Sequence, residues 1–205
     1  MRFFNPDSKF FQIMTSFGEM MILNLCWIIG SLPLITIGAA NTAMYTVMGR
    51  RLRQEGSGTI APFFRAWWSN LKNATLFWLA QVFVTVSMGM IFFMRFPLIL
   101  KIVAGILLVL VNLVMGTIYP QIARFRNRPF AYLRNSIILM VLKFGRVLLN
   151  LLLFLSPVLL FLLIPVEFLQ LGFIWILFGF SMLFFLSAEI MQKVLEPLEE
   201  IGAKK

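Results

Sequence analysis

Between Phe10 and Gly49 the chain carries a single charged side chain, Glu19, and near the middle of that run stands Ser31-Leu32-Pro33. A stretch so long and so poor in charge has few destinations. A helical crossing of a bilayer takes about 20 apolar residues, so this run of about 40 is twice the length of one span, and Pro33 is a natural place to turn. The run predicts two crossings, Phe11–Gly30 and Leu34–Gly49. Lipid offers the backbone no hydrogen-bond partners, so each crossing must be a helix.

Four later segments pass the same test: Ala74–Met94, Leu98–Tyr119, Val147–Ile164 and Phe168–Ser187, free of Lys and Arg apart from Lys101 near one end. Composition agrees, with 60% hydrophobic residues, 13% charged residues and a mean hydropathy of +0.92, far from the balance of a soluble domain. The expectation is an all-α, polytopic transmembrane helical bundle of about six spans, forming one integral membrane domain over residues 1–205. The opening "MRFFNPDSKFFQIM" has no compact apolar segment followed by a small-residue cleavage site, so the first span is expected to stay rather than be removed as a signal peptide. Cys26 is the one cysteine, which allows no internal disulfide.

Basic residues give the expected orientation, because short cytoplasmic loops carry the Lys and Arg excess. With six crossings and the N-terminus inside, one inner loop holds Arg50, Arg51, Arg53, Arg65 and Lys72. The other holds Arg124, Arg126, Arg128, Arg134, Lys143 and Arg146. The opposite connections are nearly bare. Five crossings with the N-terminus outside would leave the same loops inside. Run length, and Arg2 and Lys9 against Asp7, favour six. The chain is thus expected in the cell membrane with both termini cytoplasmic. Its net charge of +10 follows from these loops and from attraction to anionic lipids, without any nucleic-acid motif.

The second crossing is rich in small residues, with Gly38, Ala39, Ala40 and Ala43 following Pro33, a composition suited to close packing between membrane helices. The first inner loop contains "GTIAPFFRAWWSNLKNATLFW", in which Phe63, Phe64, Trp67, Trp68 and Leu71 recur at helical spacing, with Arg65, Ser69 and Lys72 elsewhere on the wheel. This predicts an amphipathic helix leading into the next span. Such a helix serves as an interfacial anchor, or as a docking face in which Phe63, Phe64, Arg65, Trp67 and Trp68 meet a partner. A shorter echo follows Pro129 in "ARFRNRPFAYLRNSIILMVLKFG", giving two amphipathic loop helices.

Chemistry is sparse. There is no His, and no G-x-x-x-x-G-K-[ST], so metal sites built on His or Cys, cysteine–histidine catalysis and a phosphate-binding loop are not expected, and neither is an enzyme or a cofactor. Glu19 is the intramembrane acid candidate; the alternative is a carboxylate near the inner interface, reached by Lys9 or a basic loop. Gln81, Asn112 and Asn150 fall within spans and suit links between helices, and Glu189, Glu196, Glu199 and Glu200 with Lys193 read as a solvated helical tail.

The segment Asn24–Leu79 resembles the YesL-like family of small bacterial membrane proteins, a family of unknown function. The resemblance rests on Leu32, Pro33, Thr36, Gly38, Ala39 and Ala40, then Phe63, Phe64, Arg65 and Ala66, then Asn70 and Lys72. A second inner loop is similar at Ala123, Arg124, Phe125, Asn127, Leu133, Arg134 and Asn135. Such proteins are typically encoded beside binding-protein-dependent ABC importers for oligosaccharides. The resemblance therefore implies an accessory subunit that packs against the permease subunits and, through them, meets the ATPase and substrate-binding protein. Absence of a nucleotide-binding loop and of an E-A-A…G…I-x-L-P coupling signature fits that role better than that of a permease. A membrane-embedded regulator of sugar uptake and a small secondary transporter are the other classes left open.

Overall fold

The computed structural model describes residues 9–56, 58–170 and 172–203. Arg2 and Asp7 lie outside the described residues, as does the side chain of Lys9, so the N-terminal flank charges have no structural counterpart here.

Helix α1, Lys9–Ser31, stops where Pro33 restricts the residue before it and withholds an N–H. A single 3-10 turn, Leu34–Thr36, reverses the chain. Thr36 closes it, its hydroxyl lying within hydrogen-bonding reach of the Gly30 carbonyl (2.8 Å) and the Pro33 carbonyl (2.7 Å). Helix α2, Ile37–Leu52, then returns beside α1. Its antiparallel course is marked at one end by Thr36 against Gly30 and at the other by an Arg51–Glu19 ion pair of 2.8 Å. The long run from Phe10 therefore goes out and comes back.

Five helical segments are long and apolar enough to cross a membrane: Ile13–Ser31, Ile60–Phe93, Leu98–Arg124, Phe144–Leu163 and Gly172–Glu200. The second expected crossing, Leu34–Gly49, is corrected to α2, whose first turn is lost to the 3-10 reversal. At 16 residues α2 is about 24 Å long, short of a hydrocarbon layer of about 30 Å. It needs no lipid-facing length, because α1, α3, α4 and α9 pack around it. Met44, Met48 and Val47 of α2 meet Leu23, Phe63, Leu139 and Met191 in the main core.

Helix α3, Ile60–Phe93, is one continuous helix of 34 residues, about 51 Å long. The amphipathic segment and the span that follows it are thus a single rod. Helix α4, Leu98–Arg124, leads through a short link to α5, Pro129–Leu142, which opens with Pro129 in its first turn. Here the amphipathic segment is separate: Lys143 interrupts the helix before α6, Phe144–Leu163. The turn into α5 is held by Tyr132, whose hydroxyl donates to the Phe125 carbonyl (2.7 Å) and accepts from the Asn127 N–H (2.9 Å). Deeper along the same contact, the Gln121 amide donates to the Ser136 hydroxyl at 2.7 Å.

After α7, Pro165–Gln170, the chain passes through α8, Gly172–Ile174, and a π-helical stretch, Trp175–Gly179, into α9, Phe180–Ala203. The π stretch has a local cause. Asn24, fully buried on α1, donates from Nδ2 to the Trp175 and Ile176 carbonyls and accepts from the Ser181 N–H at 2.8 Å. Inserting a side-chain amide into the helical ladder is one of the few ways to widen a turn.

Many large apolar side chains face outward, among them Phe83 (73% exposed) and Phe93 (93%). In a bundle dissolved in lipid this costs nothing, and small residues can occupy the helix contacts instead.

Candidate functional site

The small-residue stripe lies at the centre of the bundle. Ala39, Ala40 and Ala43 are fully buried, Gly38 is buried, and Pro33 is exposed at the turn. Gly38 sits against α3 so closely that a Cβ there would fall 2.3 Å from the Ala74 carbonyl oxygen and 2.7 Å from Trp78 Cβ. Trp78 reaches back from the same contact, its indole N–H donating to the Leu34 carbonyl at 2.8 Å.

One end of the bundle gathers the charge. Arg51 Nη2 lies 2.8 Å from Glu19 Oε2 and donates to the Thr59 hydroxyl at 2.8 Å, tying together α1, α2 and the start of α3. Glu19, within the candidate span Ile13–Ser31, is thus reached by an arginine of the first basic loop, its side chain 37% exposed. Arg53 grips Glu55 with both Nε (2.7 Å) and Nη2 (2.9 Å), and this guanidinium holds the Glu55 carboxyl below the usual carboxylate range. Arg50 donates to the Glu55 carbonyl. From the second basic loop, Arg124 pairs with Glu199 at 2.6 Å and Lys143 approaches Glu196 at 3.9 Å. Of the C-terminal acids expected in a solvated helical tail, Glu189, Glu196 and Glu200 are exposed, while Glu199 is drawn to Arg124 and ties the end of α9 to the basic loop. Arg126 and Arg128 are exposed on the α4–α5 link.

The aromatic stripe divides. Neighbouring residues on a helix point about 100° apart, so Phe63 and Trp67 face one way while Phe64 and Trp68 face another. Phe63 is fully buried, and the Trp67 indole N–H donates to the Gly30 carbonyl at 3.1 Å. Phe63 is closed to a partner, whereas Trp67 is half-buried with its polar atom already engaged within the chain. Phe64 (36% exposed) and Trp68 (73%) point outward.

Arg65 belongs to a third face. With Ser69, Asn70 and Asn73 it lines one wall of a cleft of about 610 Å³. The opposite walls include Arg50 from α2 and Arg124 and Arg126 from the end of α4 and its link. Polar residues recurring every three to four positions in "RAWWSNLKN" were the available signal, overshadowed by the aromatic repeat beside them.

A second cavity, of about 180 Å³, lies inside the membrane part of the bundle. Asn41, Gln81, Asn112, Asn150, Tyr45 and Tyr119 contribute its polar lining, and Trp78, Phe154 and Phe184 its aromatic walls. The amides do link helices: Gln81 donates to Asn112 Oδ1 (3.0 Å) and accepts from the Tyr119 hydroxyl (2.7 Å), Trp27 donates to Asn41 Oδ1 (2.9 Å), and the Ser187 hydroxyl, itself bonded to Tyr45, donates to Asn150. No carboxylate lines this cavity among the described residues.

Fold and composition together define a multi-pass, all-helical membrane protein. Residues 20–96 match the model of a family described as protein of unknown function, DUF624. That segment runs from α1 to the end of α3, taking in the Pro33 reversal, the small-residue stripe and the aromatic helix. No curated protein and no solved structure matches the chain.

Proposed function

We propose that the chain is a non-enzymatic accessory subunit of a bacterial oligosaccharide ABC importer, packing against the permease subunits with its basic end and both termini on the cytoplasmic side. The observation that carries this reading is the outward pair Phe64 and Trp68 on α3. The helix is about 51 Å long, so roughly 20 Å of it exceeds the hydrocarbon layer, and its N-terminal part presents Trp68, which the chain leaves mostly uncovered, beside the partly exposed Phe64. Exposed aromatics flanked by arginines resemble the centres of protein interfaces. The YesL-like resemblance of the same segment supplies the importer. Positive-inside bias supports the orientation. The carboxylates at the basic end are engaged by guanidinium or ammonium groups, which supports a structural and not a catalytic use of them.

The test is affinity purification of the tagged protein in mild detergent, expressed with the permease, ATPase and binding protein encoded beside it. Co-elution of the permease pair in fixed ratio is expected. Elution of the protein alone, from membranes where the permease is abundant, would falsify the subunit reading. The aromatic and amide cavity favours a second reading, a membrane-embedded regulator of sugar uptake that holds a small uncharged ligand. A secondary transporter is less favoured, because coupling to an ion gradient ordinarily uses an ionisable group near the substrate.

A further inference from the structure

Most acids at the basic end are already spoken for. Glu19 faces Arg51, Glu55 faces Arg53, and Glu199 faces Arg124. Arg50, Arg65 and Arg126 have no carboxylate partner among the described residues, and all three line the same 610 Å³ cleft. Arg50 also donates to the Glu55 carbonyl, 3.3 Å from Nε and 3.1 Å from Nη2, which leaves its Nη1 free of any bond among the described residues. Three guanidinium-bearing side chains that line one concavity repel one another, and the positive field they share draws anions to it.

We propose that this cleft binds a phosphate-bearing anion, held between Arg65 on one wall and Arg50 and Arg126 on the walls facing it. A guanidinium presents a planar fork of donors that matches phosphate oxygens two at a time, and charge-assisted bonds of this kind are stronger than neutral ones. Asn73 adds an amide to the wall that carries Arg65. The volume is several times that of a bare phosphate group, so the site has room for the phosphate together with the polar group that carries it. Beside the cleft, α5 turns outward an apolar face that includes Phe130 (78% exposed) and Ile137 (52%). A phospholipid could place its head group among the arginines and its acyl chains along that face; a soluble phosphorylated compound would use the arginines alone. The phosphate chemistry is common to both, and it stands independently of the importer reading.

The test uses the full-length protein, stripped of lipid in a neutral detergent. Its thermal midpoint is followed by tryptophan fluorescence against short-chain phosphatidylglycerol, short-chain phosphatidylcholine and inorganic phosphate. A saturable rise with phosphatidylglycerol, weaker with the choline ester whose charge is internally neutralised, is expected for a lipid head group. Arg65→Gln and Arg126→Gln should each weaken it roughly tenfold or more, the loss typical of a hydrogen bond to a charged group. Lys72→Gln and Arg134→Gln, exposed and outside the cleft, remove the same charge and should leave affinity within about twofold, the change left by screened surface charge. Inorganic phosphate that binds as tightly and blocks phosphatidylglycerol would assign the site to a soluble phosphorylated ligand. Asn73→Asp keeps every arginine and places a carboxylate in the cleft, so it should also weaken binding even if an arginine variant folds poorly. If no anion saturates, or if the two control variants weaken binding as much as the cleft variants, the proposal is overturned and the charge is a diffuse surface field.

Discussion

Gly38 and Ala74 bring two helix backbones into direct contact: a methyl group on Gly38 would lie 2.3 Å from the Ala74 carbonyl oxygen, closer than any real contact allows. A carbonyl inside a helix cannot swing aside as a flexible side chain would. Helices α2 and α3 must therefore separate to admit even one carbon. Gly38→Ala is expected to destabilise the protein by about 1–3 kcal/mol, the usual range for overpacking, and Gly38→Leu by more. Folded yield after detergent extraction and the thermal midpoint would both read this. An alanine variant as stable as the parent would show that the two helices slide apart freely.

Asn24 gives a second prediction from the opposite side of the bundle. Its amide serves two carbonyls and one N–H of the π stretch at once. Asn24→Leu keeps the volume roughly constant and removes all three bonds. Hydrogen bonds between membrane helices average only about 0.6 kcal/mol, because the unfolded chain in lipid finds other partners. Stranding several buried groups together should still cost about 1–3 kcal/mol. The alternative is that Trp175–Gly179 rewinds as ordinary α-helix. Hydrogen exchange at Ser181 separates the two: rapid exchange with lowered stability marks loss of the bond, whereas unchanged stability with strong protection marks rewinding.

Asn24 also shows where sequence reading stops. Length and charge made the helices and their turns legible, since hydrocarbon thickness is a one-dimensional ruler and Pro33 breaks a run in the same way wherever it falls. The small-residue composition of Gly38 to Ala43 was likewise readable as packing. A buried asparagine in an apolar run gives no sign of which helix it serves, because its partners are 151 or more residues away. The split of the aromatic stripe was hidden for a related reason. Periodicity assigns Phe63, Phe64, Trp67 and Trp68 to one broad face, and only tertiary neighbours, Gly30 of α1 and the core residues of α2 among them, decide that Phe63 and Trp67 turn inward. The bundle's polar cavity and the arginine cleft are products of several helices meeting, with no local motif of their own.

The Glu19–Arg51 pair should contribute little by itself. Both side chains are partly exposed, 37% and 19%, at the end of the bundle that carries the basic loops, and exposed ion pairs typically stabilise by about 0–1 kcal/mol. Glu19→Gln is expected to change stability by less than about 1 kcal/mol, with the difference fading as salt rises. Arg51→Met should cost more, since it also strands the Thr59 hydroxyl that receives its other bond. A large loss from Glu19→Gln, insensitive to salt, would favour Glu19 as an intramembrane functional acid over a carboxylate held at the interface.

Phe64 and Trp68 carry the functional prediction, and their inward neighbours provide its control. If α3 docks on a permease, the energy should concentrate in the outward aromatics, where truncation of a central residue typically costs roughly 2 kcal/mol or more. Trp68→Ala is then expected to reduce co-purified permease by an order of magnitude at equal membrane abundance, while the thermal midpoint of the isolated protein stays near that of the parent, because Trp68 is 73% exposed. Trp67→Phe should do the reverse, lowering stability through loss of the bond to Gly30 while leaving whatever folds able to bind. An interfacial anchor behaves differently again: it draws on apolar area and charge, and accepts one aromatic for another. Trp68→Phe therefore decides between lipid and protein as the occupant of this face. Full retention of partner with Trp68→Ala and Trp68→Phe alike would mean that the helix is an anchor and that any permease contact lies along the membrane spans.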